Sequence, residues 1–339
     1  MTRTLITGGG FLGQRLARHL LAQGQAVRLL DIAPTPAADL DWQQGDVASP
    51  DDVARALAGC DQVVHLAALL TPACAAQPMR GAQVNLLGSL NVFEAARQAG
   101  LRHVVYASSA GVFGPEQALH PAPTTLYGTW KLATEGIARA YLADHGIGSV
   151  GLRPFVVYGA GREVGLSSGP SLACRAAVQG QPYTIPFTGR CGLVHVDDVV
   201  RALAAALRPA QPGAWVFNMP GVIASMDEVI AEITRQVPSA QLRAEGPPLP
   251  IAADMPTSDW RAVLGPLAVT SLAEGLAATL AACRVEAAAT AERARPMDFT
   301  ARCDASLAAY ERTGIAAPSE VALSTLEAKV AASIKRLGE

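Results

Sequence analysis

The sequence predicts an α/β protein built on a doubly wound parallel sheet with a smaller C-terminal cap, and three observations carry the prediction. Short β-rich runs alternate with helix-period segments from the N-terminus to about residue 200. Two of the runs, QVVHLA at 62–67 and HVVYAS at 103–108, are apolar almost without interruption, as strands buried on both faces must be. RTLIT at 3–7 opens directly into a glycine-rich turn and then a helical pattern, the order in which a parallel sheet starts.

Taken in order, the predicted strands are Arg3–Thr7, Ala26–Asp31, Asp61–Leu66, His103–Ser108 and Ser149–Pro154. Helices are expected over 11–24, 50–58, 79–99 and 126–145, each with apolar residues at helical spacing. After residue 155 the texture changes. Gly159–Pro170 is too glycine-rich for regular structure, and Gln179–Arg190 carries turn signals around a short extended piece. Segments near 193–208 and 214–218 read as a return to the sheet, and 240–339 is punctuated by proline before becoming alanine-rich and helical. The expected organisation is a core over 1–160 to which 191–222 returns, a substrate-facing cap from 161–190 and 223–283, and a helical appendage over 284–339. That appendage reads as a structural or dimer-forming tail.

Composition narrows the partners. The chain has 339 residues, is 50% apolar and 17% charged, and carries a net charge of -2, the profile of a globular protein with ample core. No basic run offers the concentrated positive face that nucleic acid or an anionic membrane requires, so a small-molecule partner is expected. The N-terminus lacks the pattern of a secretory signal, and no stretch of 18 apolar residues suggests a membrane span. Six cysteines are scattered without CxxC pairs or histidines at ligand spacing, which fits reduced thiols in a cytoplasm and argues against a metal site.

The turn after the first strand, Gly8-Gly9-Gly10-Phe11-Leu12-Gly13, is a GxGxxG in a strand–turn–helix setting, so the core is of the Rossmann type. Gly8 permits the tight turn, Gly10 lets the backbone approach a pyrophosphate, and Gly13 lets helix and strand pack closely. The helix start offers free N–H groups to the phosphates. The second strand ends at Asp31, about 20 residues on, where a carboxylate accepts from ribose hydroxyls and repels a 2′-phosphate; NAD is therefore favoured over NADP. Arg28, on the same strand, is the one residue that complicates this choice. Asp46, followed by Val47, is placed to accept from the adenine amino group, with capping of the next helix as its alternative.

Tyr127 and Lys131 lie four apart on a helical pattern and so share one face. An ammonium beside a phenol stabilises the phenolate and is expected to lower a pKa near 10 by ~1–3 units, making tyrosine a usable acid/base. Only three of the 27 basic residues are lysine (Lys131, Lys329 and Lys335), which suggests a task that a guanidinium performs badly. The strand ending at Ser108-Ser109 delivers hydroxyls to the carboxyl edge of the sheet, and Ser109 is preferred over Ser108 as the partner of a substrate oxygen. His65 and His195 read as structural. Asn85, polar inside an apolar helix, must be hydrogen-bonded, to substrate or to backbone.

Together these elements resemble the extended branch of the short-chain dehydrogenase/reductase superfamily, the NAD-dependent epimerase/dehydratase family. The resemblance rests on Thr7–Gly13, Asp31, Gly45-Asp46, His65–Ala68, Asn85 in VNLLGSLNVFEAA, Ser108-Ser109 with Gly114, Tyr127-x-x-x-Lys131, LRPFVVYG at 152–159 and VHVDDVV at 194–200. It implies Tyr127 as catalytic acid/base, Lys131 as its tuner and ribose clamp, and Ser109 as substrate hydrogen-bonder. Leu66, Ala67 and Ala68 would line the cofactor channel, with Pro154, Phe155 and Val156 beside the nicotinamide; a homodimer through the helices near 79–99 and 126–145 is also implied. Departures matter as well. Thr7 stands where the family's commoner GxxGxxG has its first glycine. Ala110 and Gly111 replace the acidic residues of the dehydratases and decarboxylases, and Cys191-Gly192 fill the place of the Arg-Asp pair common in nucleotide-sugar enzymes. Arg162 and Arg190 remain as candidates to grip a diphosphate or a carboxylate. The expected activity is NAD-dependent oxidoreduction of a sugar, uronate or related polyhydroxy compound. A nucleotide-sugar epimerase is the alternative, and a noncatalytic dinucleotide-binding protein a remote one.

Overall fold

Strand β1 (Arg3–Thr7) runs through the glycine turn into α1 (Phe11–Ala22), and β2 (Ala26–Asp31) pairs in parallel with β1 from Arg3↔Ala26 to Thr7↔Leu30. β3 (Asp41–Gln44), α2 (Pro50–Leu57) and β4 (Gln62–His65) follow. The next helical stretch is segmented into α3 (Thr71–Ala76), α4 (Pro78–Ala82), a π-turn at Gln83–Leu87 and α5 (Gly88–Gln98). β5 (His103–Ala107), α6 (Leu126–His145), β6 (Gly148–Pro154) and β7 (Val156–Tyr158) come next. The rest comprises α7 (Gly169–Gln179), β8 (Tyr183–Ile185), β9 (Arg190–His195), α8 (Val196–Ala206), β10 (Ala214–Met219), β11 (Val222–Ser225), α9 (Met226–Gln236), β12 (Leu242–Ala244), α10 (Arg261–Leu264) and α11 (Leu272–Ala294). This computed structural model describes residues 2–34, 39–116 and 118–294. Residues 1–285 form one unit; of the second, 286–339, only the end of α11 is described, so most of the expected appendage over 284–339 lies outside the described residues.

The central sheet has seven strands in the order β10-β6-β5-β4-β1-β2-β3, every pairing parallel. Successive side chains of a strand point to opposite faces. Leu5, Leu30, Val63, Val104 and Tyr106 therefore pack with α2, α5 and α6, while Ile6, Leu29, Val64, Val105 and Val150 pack with α1 and α8. Burial on both faces is why these strands read as continuous apolar runs. Helix α6 starts where the Thr125 hydroxyl accepts from Gly128 N at 3.1 Å and stops at Gly146, whose φ of +65° suits glycine.

The expected return to the sheet needs correction, and one strand of the central sheet is not among those expected. Residues 191–222 do not return to the sheet as a block: β9 joins a separate three-stranded sheet with β7, in parallel, and β11, antiparallel, and β10 alone extends the main sheet. The edge strand β3 escapes a pattern reading because DWQQ is short, half exposed and without apolar alternation.

Candidate functional site

The glycine turn is built by steric necessity. Gly8 has φ +90°, and a Cβ there would sit 2.6 Å from the backbone N of Ala67; a Cβ on Gly13 would meet the Gly8 carbonyl oxygen at 1.9 Å. Gly10 has nothing within 4 Å of that position and faces open space in front of the α1 start, whose N-cap no side chain fills. Trp42 on β3 lies over Gly9, with its indole Nε1 donating to Ala33 O at 3.0 Å. Asp31 ends β2 beside the turn, its Oδ2 accepting from Gly9 N at 2.6 Å and its Oδ1 from Ala33 N at 2.9 Å. Arg28 bonds the carbonyls of Ala56 and Ala58 and pairs with Asp41, well away from this edge.

A cleft of about 600 Å³ runs along the carboxyl ends of the strands, from Gly8, Gly10, Phe11, Leu12, Gly13 and Asp31 past Asp46, Val47, Leu66, Ala67 and Ala68 to Ser109, Tyr127, Lys131, Pro154 and Val156. The structure thus brings the predicted cofactor-facing residues and the tyrosine, lysine and serine to one continuous surface. These residues fit a dinucleotide: the turn leaves room at Gly10 where a phosphate needs it, and a carboxylate stands at the strand end beyond it.

Lys131 is 3% exposed and donates from Nζ to Ala107 O at 2.7 Å, with Nζ 5.8 Å from the centre of the Tyr127 ring. Burial lowers its pKa from 10.5 to about 8. The Tyr127 phenol does not follow the expected downward tuning by Lys131. Burial in the cleft wall raises its pKa, and the opposing influences are the Ser109 hydroxyl, which can donate to a phenolate, and the charge of Arg162. Ser109 itself accepts from Gly111 N at 3.0 Å.

Other expected contacts are redirected. Ser108 donates to Glu135 Oε1 at 2.6 Å; Glu135, fully buried, is held by a two-pronged pair with Arg153, whose other amino group reaches Asn218 Oδ1 at 3.2 Å. The Ser108 hydroxyl thus spends its proton on Glu135, while the residue also lines the cleft. Asn85, in the π-turn, accepts from Leu69 N at 2.8 Å and donates to Leu69 O at 2.9 Å, so it ties the loop after β4 in place and does not line the cleft. Arg190 is exposed, donates to Ile223 O at 3.3 Å and lies 3.7 Å from Glu228; pairing of β9 with β11 turns it outward while Cys191 is buried. Arg162 alone of the two arginines reaches the cleft.

Asp46 lines the cleft, but its Oδ2 accepts from Arg80 at 2.7 Å, and the cap of α2 is Ser49, whose hydroxyl accepts from Asp52 N at 3.3 Å. His65 bonds Thr7 Oγ1 and Ser89 Oγ and is pushed to about 3 by burial, while His195 caps α8. Sequence reasoning missed Arg80, which the segmented helix brings to a partner 34 residues earlier, and the loop Leu249–Ile251, which no local signal ties to the site.

A parallel α/β sheet with a glycine turn, an acidic strand end and a Tyr-Lys helix at one edge defines a dinucleotide-dependent enzyme. The chain belongs to the NAD-dependent epimerase/dehydratase family, whose family model matches residues 4–219, and its cofactor is NAD. A UDP-glucose 4-epimerase from Streptomyces lividans is 31% identical over 238 residues, spanning 62% of this chain and 72% of that one. A 3-beta-hydroxysteroid dehydrogenase from Mycolicibacterium neoaurum is 32% identical over 177 residues, 47% of this chain and 48% of the relative. Among solved structures, the holo form of a GalE-like L-threonine dehydrogenase from Cupriavidus necator is 28% identical with a TM-score of 0.76, covering 82% of this chain and 99% of that one.

Proposed function

We propose that the chain oxidises or reduces a secondary hydroxyl or carbonyl of a sugar, sugar acid or related hydroxy compound, with Tyr127 as acid/base. The observation that supports this reading is that Tyr127 and Ser109 line the same cleft as the glycine turn and Asp31. NAD, when bound, supplies the hydride acceptor. Gly8, Gly10, Gly13 and the start of α1 hold its pyrophosphate, Asp31 its adenosine ribose, and Lys131 uses its remaining donors on the second ribose. Asp46 and Val47 would serve the adenine, Leu66, Ala67 and Ala68 the channel between, and Pro154 and Val156 the nicotinamide, all of them lining the cleft. Ser109 would orient the substrate oxygen, and the Tyr127 phenol, its pKa raised by burial, would donate its proton to a carbonyl oxygen, while abstraction of a hydroxyl proton would need the phenolate that rising pH populates.

In this assignment 1–160 is the cofactor core, 161–190 and 223–283 form the substrate-facing cap, and Met79, Leu87 and Leu90, exposed on the helices at 78–98, support a homodimer. The named epimerase relative favours a second reading, in which the ketone is reduced again on its other face. Absorbance at 340 nm with added NAD and a substrate panel separates the two: net NADH for the dehydrogenase, none for the epimerase. A noncatalytic role requires that Tyr127→Phe change nothing.

A further inference from the structure

Three cationic side chains line the cleft among the described residues: Arg80, Lys131 and Arg162. Arg80 is neutralised by Asp46, and Lys131 is bound to the Ala107 carbonyl. Arg162 differs from both. Its Nη2 donates to Ser167 Oγ at 3.0 Å, its Nε is buried without a partner, and the neighbouring Glu163 is paired instead with Arg175 at 2.6 Å. No carboxylate among the described residues forms an ion pair with it. A buried donor without an acceptor is costly, and a planar anion accepting two bonds from the guanidinium relieves that cost. Burial holds the Arg162 pKa below its usual value, with Tyr127 the group that opposes the shift, so guanidinium and phenol share one desolvated space.

The surroundings specify the anion further. A Cβ on Gly165 would lie 3.0 Å from Leu70 Cδ1 and 3.5 Å from Arg162 Nη2, so hydrocarbon and guanidinium meet beside this glycine, and Val164, Leu166, Pro250 and Ile251 also line the cleft. No asparagine, glutamine or histidine lines the cleft among the described residues. The hydroxyls that do line it, among them Thr71, Ser109, Thr125, Tyr127 and Ser167, are the partners open to a substrate's own hydroxyl groups. A diphosphate carries at least two charges and calls for a second cation, yet Arg190 is turned away toward Glu228. One charge with a hydrocarbon flank fits the remaining space.

We propose that Arg162 binds a carboxylate and that the substrate is a hydroxy acid or its keto counterpart, with its hydrocarbon portion against Leu70 and Leu166. This inference rests on the reading of Tyr127 as acid/base at an NAD site. Isothermal titration calorimetry tests the two separately. NAD is titrated first; a protein that fails to bind it overturns the underlying reading. The NAD-loaded protein is then titrated with 3-hydroxybutanoate and glucuronate and with the amide of each, and with UDP. At least one acid should bind about 10- to 100-fold more tightly than its amide, the range of a charge-assisted hydrogen bond. Arg162→Gln should erase that preference while leaving NAD affinity within about twofold, and Arg162→Lys should retain part of it. The proposal is overturned if acids and amides bind alike or neither acid binds, if the preference survives in Arg162→Gln and Arg162→Lys alike, or if UDP binds more tightly than both acids in an Arg162-dependent way.

Discussion

Replacing Lys131 by methionine should make the protein inactive and, at neutral pH, more stable. Lys131 is buried, and its pKa falls from 10.5 to about 8, so the folded state disfavours the ammonium that the unfolded chain tolerates. A pKa below the unfolded value in a base means a destabilisation fully present below pH 8, relieved as pH rises toward 10.5 and absent above it. At about 1.4 kcal/mol per pH unit that penalty is about 3 kcal/mol. Methionine removes it but leaves the Ala107 carbonyl without its 2.7 Å donor, which costs about 1–2 kcal/mol. The variant should therefore gain about 1–2 kcal/mol at pH 7 and lose about as much above pH 10. Urea unfolding of both proteins from pH 7 to 10.5, taken as a difference so that other titrating groups cancel, measures this swing. A difference that stays flat across the range would refute the claim that the buried ammonium carries the penalty.

Other substitutions test the remaining assignments. Tyr127→Phe should lower turnover by about 10²–10⁴ with NAD affinity unchanged, and the wild-type-minus-variant absorbance near 295 nm should show the phenol ionising above its ordinary pKa of 10, because burial raises it. Gly10→Ala, which meets nothing within 4 Å, should keep the urea midpoint while weakening NAD binding; Gly13→Ala, aimed at the Gly8 carbonyl at 1.9 Å, should lower the midpoint itself. Asn85→Ala breaks two bonds from a buried side chain to Leu69 and should destabilise the fold by about 2–4 kcal/mol in the same urea assay, with weaker NAD binding as the loop after β4 loosens.

The parts of the molecule that could be read from the chain are those whose cause is local. Strands β1 and β2 and helix α6 begin and end where expected, because apolar periodicity, the Thr125 cap and Gly146 are all neighbours in sequence. The glycine turn and the Tyr127–Lys131 pairing are legible for the same reason. What depends on distant pairing was hidden. The outward turn of Arg190 follows from the register of β9 against β11, and the engagement of Ser108 follows from a glutamate 27 residues on. The sign of the Tyr127 shift depends on how deeply the phenol sits, which no spacing of residues reveals.

The indole that lies over Gly9 has a practical consequence. Of the four tryptophans, Trp42 lies against Gly9 of the glycine turn, so on the proposed reading a dinucleotide entering there would alter the surroundings of that fluorophore. Emission near 340 nm should quench when reduced coenzyme is added, through energy transfer to the dihydronicotinamide. Trp42→Phe should remove the share of the signal that Trp42 contributes, leaving that of Trp130 beside Lys131, and so gives a label-free optical titration.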